Sequence, residues 1–103
     1  MNMSELMKQA QQFQENLKRV QDDLASTTIE GSAGGGMVSV VFNGNTELVS
    51  LSIEPQLLEK KELQMIQDLL AAAINDGIRK SKEMGKAEMV KLTGGMNLPG
   101  FFS

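Results

Sequence analysis

Apolar residues fall at Met3, Leu6, Ala10, Phe13, Leu17, Val20 and Leu24. These alternating steps of three and four keep one stripe of an α-helix facing a partner. The spacing predicts a helix over about residues 3–26, with Ser4 as its cap and Glu5 complementing its positive end. The β-branched run Thr27, Thr28 and Ile29 favours leaving the helix. Between Gly31 and Pro55 the period drops to two. Val38, Val40 and Phe42 share one face of a strand, and Val49, Leu51 and Ile53 the corresponding face of the next. Asn43-Gly44 between these runs is a hairpin signal, and Ile29 and Glu30 start a short first strand. After Pro55, a turn at Gln56, Leu57 and Leu58 leads into a second long helical pattern through Leu63, Ile66, Leu70, Ala73, Ile74, Gly77, Ile78 and Ser81. Thr93, Gly94 and Gly95 end it.

The fold class that follows is α+β: a helix, a three-stranded antiparallel sheet and a second helix. Helices of about 24 and 30 residues span about 36 and 45 Å, whereas a seven-residue strand spans only about 23 Å. The helices therefore overhang the sheet, and their apolar seams need either each other or a second copy of the chain. At 103 residues there is room for one domain with a small core. Long helices projecting from a dimeric sheet body are expected, with Leu6, Phe13, Leu17, Val20, Leu70, Ala73, Gly77 and Ser81 as candidate dimer or helix-packing positions. Ala73, Gly77, Ser81 and Gly85 recur every four residues, a strip of small side chains that predicts close packing against another helix, with a hinge at Gly77 and Gly85 as the competing reading. The domain is placed at residues 1–95. Residues 96–103, with Pro99, Gly100, Phe101 and Phe102, read as a flexible C-terminal tail.

Composition removes most chemistry. The chain has no Cys, His, Tyr or Trp, so thiolate nucleophiles, sulfur-based zinc sites and imidazole acid–base catalysis are excluded. No catalytic residue, metal ligand set, cofactor or small-molecule substrate is expected, and the protein is not read as an enzyme. Neither a signal-peptide pattern nor an 18-residue apolar span is present, so a cytoplasmic location with no membrane partner is expected. The segment from Gly31 to Gly36 is not a phosphate loop: Met37 stands where such a loop carries lysine, and a strand follows rather than a helix. It reads as a flexible turn or bulge between strands.

Charge is uneven. The net charge is −3 overall, composed of −1 over residues 1–28, −5 over 29–76 and +3 over 77–103. On the second helix Arg79, Lys82 and Lys86 share a face away from the seam, with Lys80 beside them. Lys8, Lys18 and Arg19 on the first helix add to this stripe if the helices run side by side. These seven residues are the candidate nucleic-acid contacts. The acidic balance argues against unselective binding, and four Phe without Tyr or Trp provide no stacking platform for single strands. Duplex backbone is the better ligand. A competing reading is a protein-interaction module, in which the seams and Met96, Leu98, Phe101 and Phe102 engage a replication or repair protein.

Several stretches together are specific: Leu-Met-Lys-Gln-Ala-Gln-Gln from Leu6, Gly-Gly-Gly-Met-Val from Gly34, Asn-Gly at Asn43, Ser-Ile-Glu-Pro from Ser52, Asp-Leu-Leu-Ala-Ala-Ala from Asp68, and Thr-Gly-Gly-Met from Thr93 on to Leu-Pro-Gly. On these motifs the chain resembles, nearly end to end, the YbaB/EbfC family of bacterial nucleoid-associated proteins. The resemblance implies a homodimer with a central sheet body and helical arms, DNA binding, a nucleoid location, and a role in nucleoid organisation or gene regulation. It carries no residue-level signature for DNA contact.

Overall fold

The computed structural model describes residues 2–94. Its elements are α1 (Met3–Ser26), β1 (Thr28–Ala33), β2 (Val38–Asn43), β3 (Leu48–Ile53), a short α2 (Pro55–Glu59) and α3 (Leu63–Leu92). The strands form one antiparallel sheet in the order β1-β2-β3. The α+β architecture expected from periodicity is the one observed, and the molecule is elongated, 69 × 22 × 16 Å. The expected tail, residues 96–103, lies outside the described residues.

The core forms where α3 crosses β1 and β2. Val38 and Val40 are fully buried there, with Phe42, Leu57, Ile66 and Ala73 around them. Alternation along β2 thus delivers three side chains to one face, as a half-buried strand requires. Proline at the first position of α2 fixes the turn away from β3, and Leu57 closes the end of the core.

Four local details differ from the sequence reading. The cap of α1 is Asn2, whose side chain accepts a 2.9 Å hydrogen bond from the Glu5 N–H, while Ser4 lies inside the helix. The turn after Pro55 closes into the single-turn helix α2. Of the segment from Gly31 to Gly36, the first three residues belong to β1, and only Gly34, Gly35 and Gly36, all at positive φ, make the turn. Finally, the strip Ala73, Gly77 and Ser81 is buried against the chain's own sheet rather than against a second helix. Gly31 and Gly77 meet backbone to backbone, an approach that a strand and a helix achieve only without Cβ atoms between them.

The β2–β3 connection shows why Asn43-Gly44 is there. Asn43 is buried, and its Oδ1 accepts from the N–H groups of Asn45 (2.9 Å) and Glu47 (3.0 Å). Gly44 does not supply the left-handed residue; Thr46 does, at φ 63°. Gly44 instead lies against the end of α1, where an added Cβ would come within 2.8 Å of the Leu24 carbonyl oxygen. Its N–H donates to that oxygen at 2.7 Å and to Thr27 O at 3.0 Å. The hairpin tip therefore docks the C-terminal end of α1 and sets its direction. From there α1 packs on α3, with Val20, Leu24 and Met84 lining a small gap between the two helices. Phe13 and Leu17 are half-buried, and Met3, Leu6 and Met7 in the first turns are exposed.

Candidate nucleic-acid interface

Positive charge on α3 divides into paired and unpaired groups. Asp76 gathers two of the cations: its Oδ1 takes Arg79 Nη2 at 2.8 Å and its Oδ2 takes Lys80 Nζ at 3.0 Å. Arg79 also reaches Glu83 at 3.2 Å, and Lys91 reaches Glu88 at 3.2 Å. Lys82 and Lys86 make no ion pair among the described residues. They stand one helical turn apart, both exposed. A cation already paired with a carboxylate offers less net charge to a phosphate, so these two carry the free charge of the stripe.

Sequence spacing could have made part of this division. Asp76 precedes Arg79 and Lys80 by three and four residues, and Glu83 follows Arg79 by four. No acid stands three or four residues from Lys82, whereas Glu83 stands three before Lys86 and only the structure shows it turned to Arg79.

Lys82 and Lys86 line an open cleft of about 500 Å³ between the α3 flank and the hairpin tip. Its other walls include Gly44, Asn45, Thr46, Gly85 and Met89. The tip is held rigidly against the helix. Buried Ser81 Oγ donates to Asn43 O at 2.7 Å, and Thr46 Oγ1 lies 3.0 Å from Ser81 Oγ. Because the serine proton is spent on the carbonyl, Thr46 is the donor of the second bond. Lys8, Lys18 and Arg19 lie on the exposed side of α1, outside this cleft. They form no ion pair among the described residues, though Arg19 donates to Asn16 Oδ1 at 2.6 Å.

Asp76 has a second role that sequence did not reveal. Its Oδ2 accepts the outward N–H of Ser32 at 3.1 Å, and Lys80 Nζ donates to Glu30 O at 3.4 Å. The ion pair thus caps the free edge of β1 on both a donor and an acceptor, which blocks addition of another strand there. The hydrogen bond from Lys80, then that from Ser32, hold the Asp76 pKa at about 2, below its ordinary 3.8. A depressed carboxylate pKa stabilises the fold above the ordinary value and ceases to do so as pH falls through the depressed one. Urea unfolding of the wild type should therefore show stability lost between pH about 4 and about 2, and Asp76→Asn should flatten that segment of the profile.

The opposite edge is different. β3 carries Leu48, Val49 and Leu51 with 46%, 57% and 50% of their surfaces exposed. A register shift near Val41 and Phe42 places Leu48, rather than Val49, opposite Phe42. Leu51 pairs with Val40 and Ile53 with Val38, so the row continues the core face beyond the area α3 covers.

Comparison with known proteins agrees with this architecture. The YbaB/EbfC DNA-binding family matches residues 1–96. A nucleoid-associated protein of Caldanaerobacter subterraneus is 46% identical over 101 residues, 98% of this chain and 91% of the relative. One from Desulfotalea psychrophila is 50% identical over 99 residues, 96% and 93% of the two chains. The crystal structure of an uncharacterized protein from Helicobacter pylori superposes with a TM-score of 0.82 at 33% identity, covering 91% of this chain and 99% of that one. With a family match over nearly its whole length and relatives close to half identical, the chain belongs to the YbaB/EbfC DNA-binding family.

Proposed function

We propose that the protein binds duplex DNA as a homodimer, in the nucleoid, and contributes to nucleoid organisation and gene regulation. The observation that carries this reading is the pair Lys82 and Lys86, without ion-pair partners among the described residues, on an otherwise acidic chain of a DNA-binding family. Relatives named as nucleoid-associated proteins support the location. Contacts of lysine with phosphate position a protein on DNA without reading its sequence. Arg79, Lys80, Lys8, Lys18 and Arg19 add to the surrounding field.

The dimer reading rests on the asymmetry of the sheet. One edge is capped by Asp76 and Lys80, whereas among the described residues the other presents exposed apolar side chains on an edge strand with no further strand beside it. Pairing of β3 with β3 of a second copy would bury that row on both subunits. Val49→Lys with Leu51→Lys should convert the dimer to a monomer in sedimentation, with the helices of the fold retained. If the doubly substituted chain still sediments as a dimer, the interface lies elsewhere.

Gel-shift titration across salt tests the DNA reading. A dimer that neutralises about 6–10 phosphates loses about 10³–10⁵ in affinity between 50 and 200 mM salt. A flat response removes the phosphate-contact mechanism. A second reading, a docking module for a replication or repair protein, is favoured by the exposed apolar ridge of Met3, Leu6 and Met7 on α1. It requires no loss of partner binding when lysines are reversed.

A further inference from the structure

We propose that the cleft between the hairpin tip and α3 is a seat for one sugar–phosphate unit of the DNA backbone, with Lys82 and Lys86 on the phosphate and Gly85 and Met89 beneath the deoxyribose. This rests on the DNA-binding reading and specifies where, and by what shape, one strand is held.

The turn could have been the phosphate cradle, but its donors are consumed inside the fold. The N–H of Gly44 goes to Leu24 and Thr27, that of Asn45 to Asn43 Oδ1, and that of Thr46 to Asn43 O. The Thr46 hydroxyl is spent on Ser81. What remains to hold an anion is the pair of lysine ammonium groups, beside the Arg79 guanidinium that Asp76 and Glu83 already hold. The one acid at the site, Glu83, is neutralised by Arg79 at 3.2 Å, so the cleft is net positive.

By exposed area the wall is mostly apolar, although Asn45, Thr46, Arg79, Ser81 and Glu83 line it too; it is open on one side, and its volume of about 500 Å³ falls within the range of ligand clefts. A free phosphate has no use for such a wall. A ligand that joins a singly charged phosphate to an apolar ring does, and DNA backbone supplies that unit repeatedly. Because only point charges and shape are offered, the seat accepts any base sequence. The rigidity of the tip, locked through Ser81 and Asn43, keeps the cleft open before DNA arrives.

Gly85 makes the idea testable without touching charge. An added Cβ there meets only Gly44 O, at an ordinary 3.5 Å, so a larger side chain can grow into the cleft. Gly85→Leu, and Gly85→Gln as a polar alternative, should fold and melt no lower than wild type, because a mid-helix glycine costs about 1 kcal/mol of propensity. Both should weaken duplex binding about tenfold per seat at low salt, and reduce the log–log salt slope by about 0.9 for each phosphate lost. Lys82→Gln with Lys86→Gln should do the same, and adding Gly85→Leu to that pair should cost nothing further, since one seat is removed only once. Inorganic phosphate should displace duplex no better than chloride of equal ionic strength.

Three results would overturn the seat. Gly85 variants that bind as wild type while the lysine variant fails would place the lysines on an open helix face. Preferential displacement by inorganic phosphate would make the cleft a free-anion site. Absence of duplex binding by the unaltered protein would remove the DNA reading itself, a different failure from the first two.

Discussion

Gly31→Val is expected to cost about 3 kcal/mol or more, lowering the melting temperature by about 12 °C or more, a large loss for a single substitution in a domain of this size. A Cβ built at Gly31 lies 2.5 Å from Gly77 N and 2.7 Å from both Ala73 O and Gly77 Cα. All three are backbone atoms of α3 and belong to its hydrogen-bonded ladder, so they cannot yield by changing rotamer. Relief requires the whole helix to lift from the sheet, which would uncover Val38, Val40 and Phe42. Gly31 is not at positive φ, so the cost is one of space alone. Gly77→Ala is the informative companion. Its Cβ would meet Phe42 ring atoms at 2.5 and 2.6 Å and a Val40 methyl at 3.0 Å, side-chain atoms of the packed core that yield only by local repacking, with no backbone in the way. Gly77→Ala also regains about 1 kcal/mol of helix propensity. Thermal melts should therefore rank Gly31→Val well below Gly77→Ala. The reverse order would mean that α3 does not rest on β1 as described.

Lys82→Glu with Lys86→Glu is expected to reduce duplex affinity by about a hundredfold or more at 50 mM salt while leaving the melting temperature nearly unchanged. In a dimer the substitution removes two seats, at about tenfold each at low salt, and the introduced carboxylates repel the strand. Neither lysine has an ion-pair partner among the described residues, so reversal breaks no internal contact. Arg79→Glu behaves differently. It would set a carboxylate beside Asp76 and Glu83 and so weaken the arrangement that caps the β1 edge. Its effect on DNA would be mixed with one on folding. The pair Lys82 and Lys86 thus separates DNA binding from the protein-docking reading: gel-shift retention should collapse under the first and persist under the second.

Much of this architecture was legible because each element announces itself by a local period. The three- and four-residue steps from Met3 to Leu24 gave α1 its limits, Met3–Ser26. Alternation at Val38, Val40 and Phe42 identified the most buried strand. The small residues at Ala73, Gly77 and Ser81 were recognisable as a contact surface, but their partner was not. A groove without Cβ atoms accepts a helix or a strand equally well, and the choice depends on Gly31, 46 residues away from Gly77 in the chain. Asn43-Gly44 marked the hairpin correctly for a reason other than turn geometry, since Gly44 yields room to Leu24 and Thr46 takes the left-handed conformation.

The candidate site was legible as a set of residues and not as a place. Sequence supplied seven basic residues, and helical spacing put Arg79, Lys82 and Lys86 on one face. Which of them are free depends on where carboxylates lie. That was partly readable from i, i+3 and i, i+4 neighbours, whereas the bond from Ser32 to Asp76 spans 44 residues and was not.

The sequence by itself determined the order of elements, the lengths of the helices, the excess of apolar seam over sheet, and the absence of side chains for imidazole or thiol chemistry. These properties are local or additive, so a one-dimensional reading preserves them. Only the tertiary structure decided that α3 lies on β1 and β2 and leaves β3 uncovered, that Asp76 closes one sheet edge, and that the hairpin tip forms a cleft beside Lys82 and Lys86. Each of those depends on backbone groups distant in the chain meeting within a few ångströms, and periodicity records that a face must be covered without recording what will cover it.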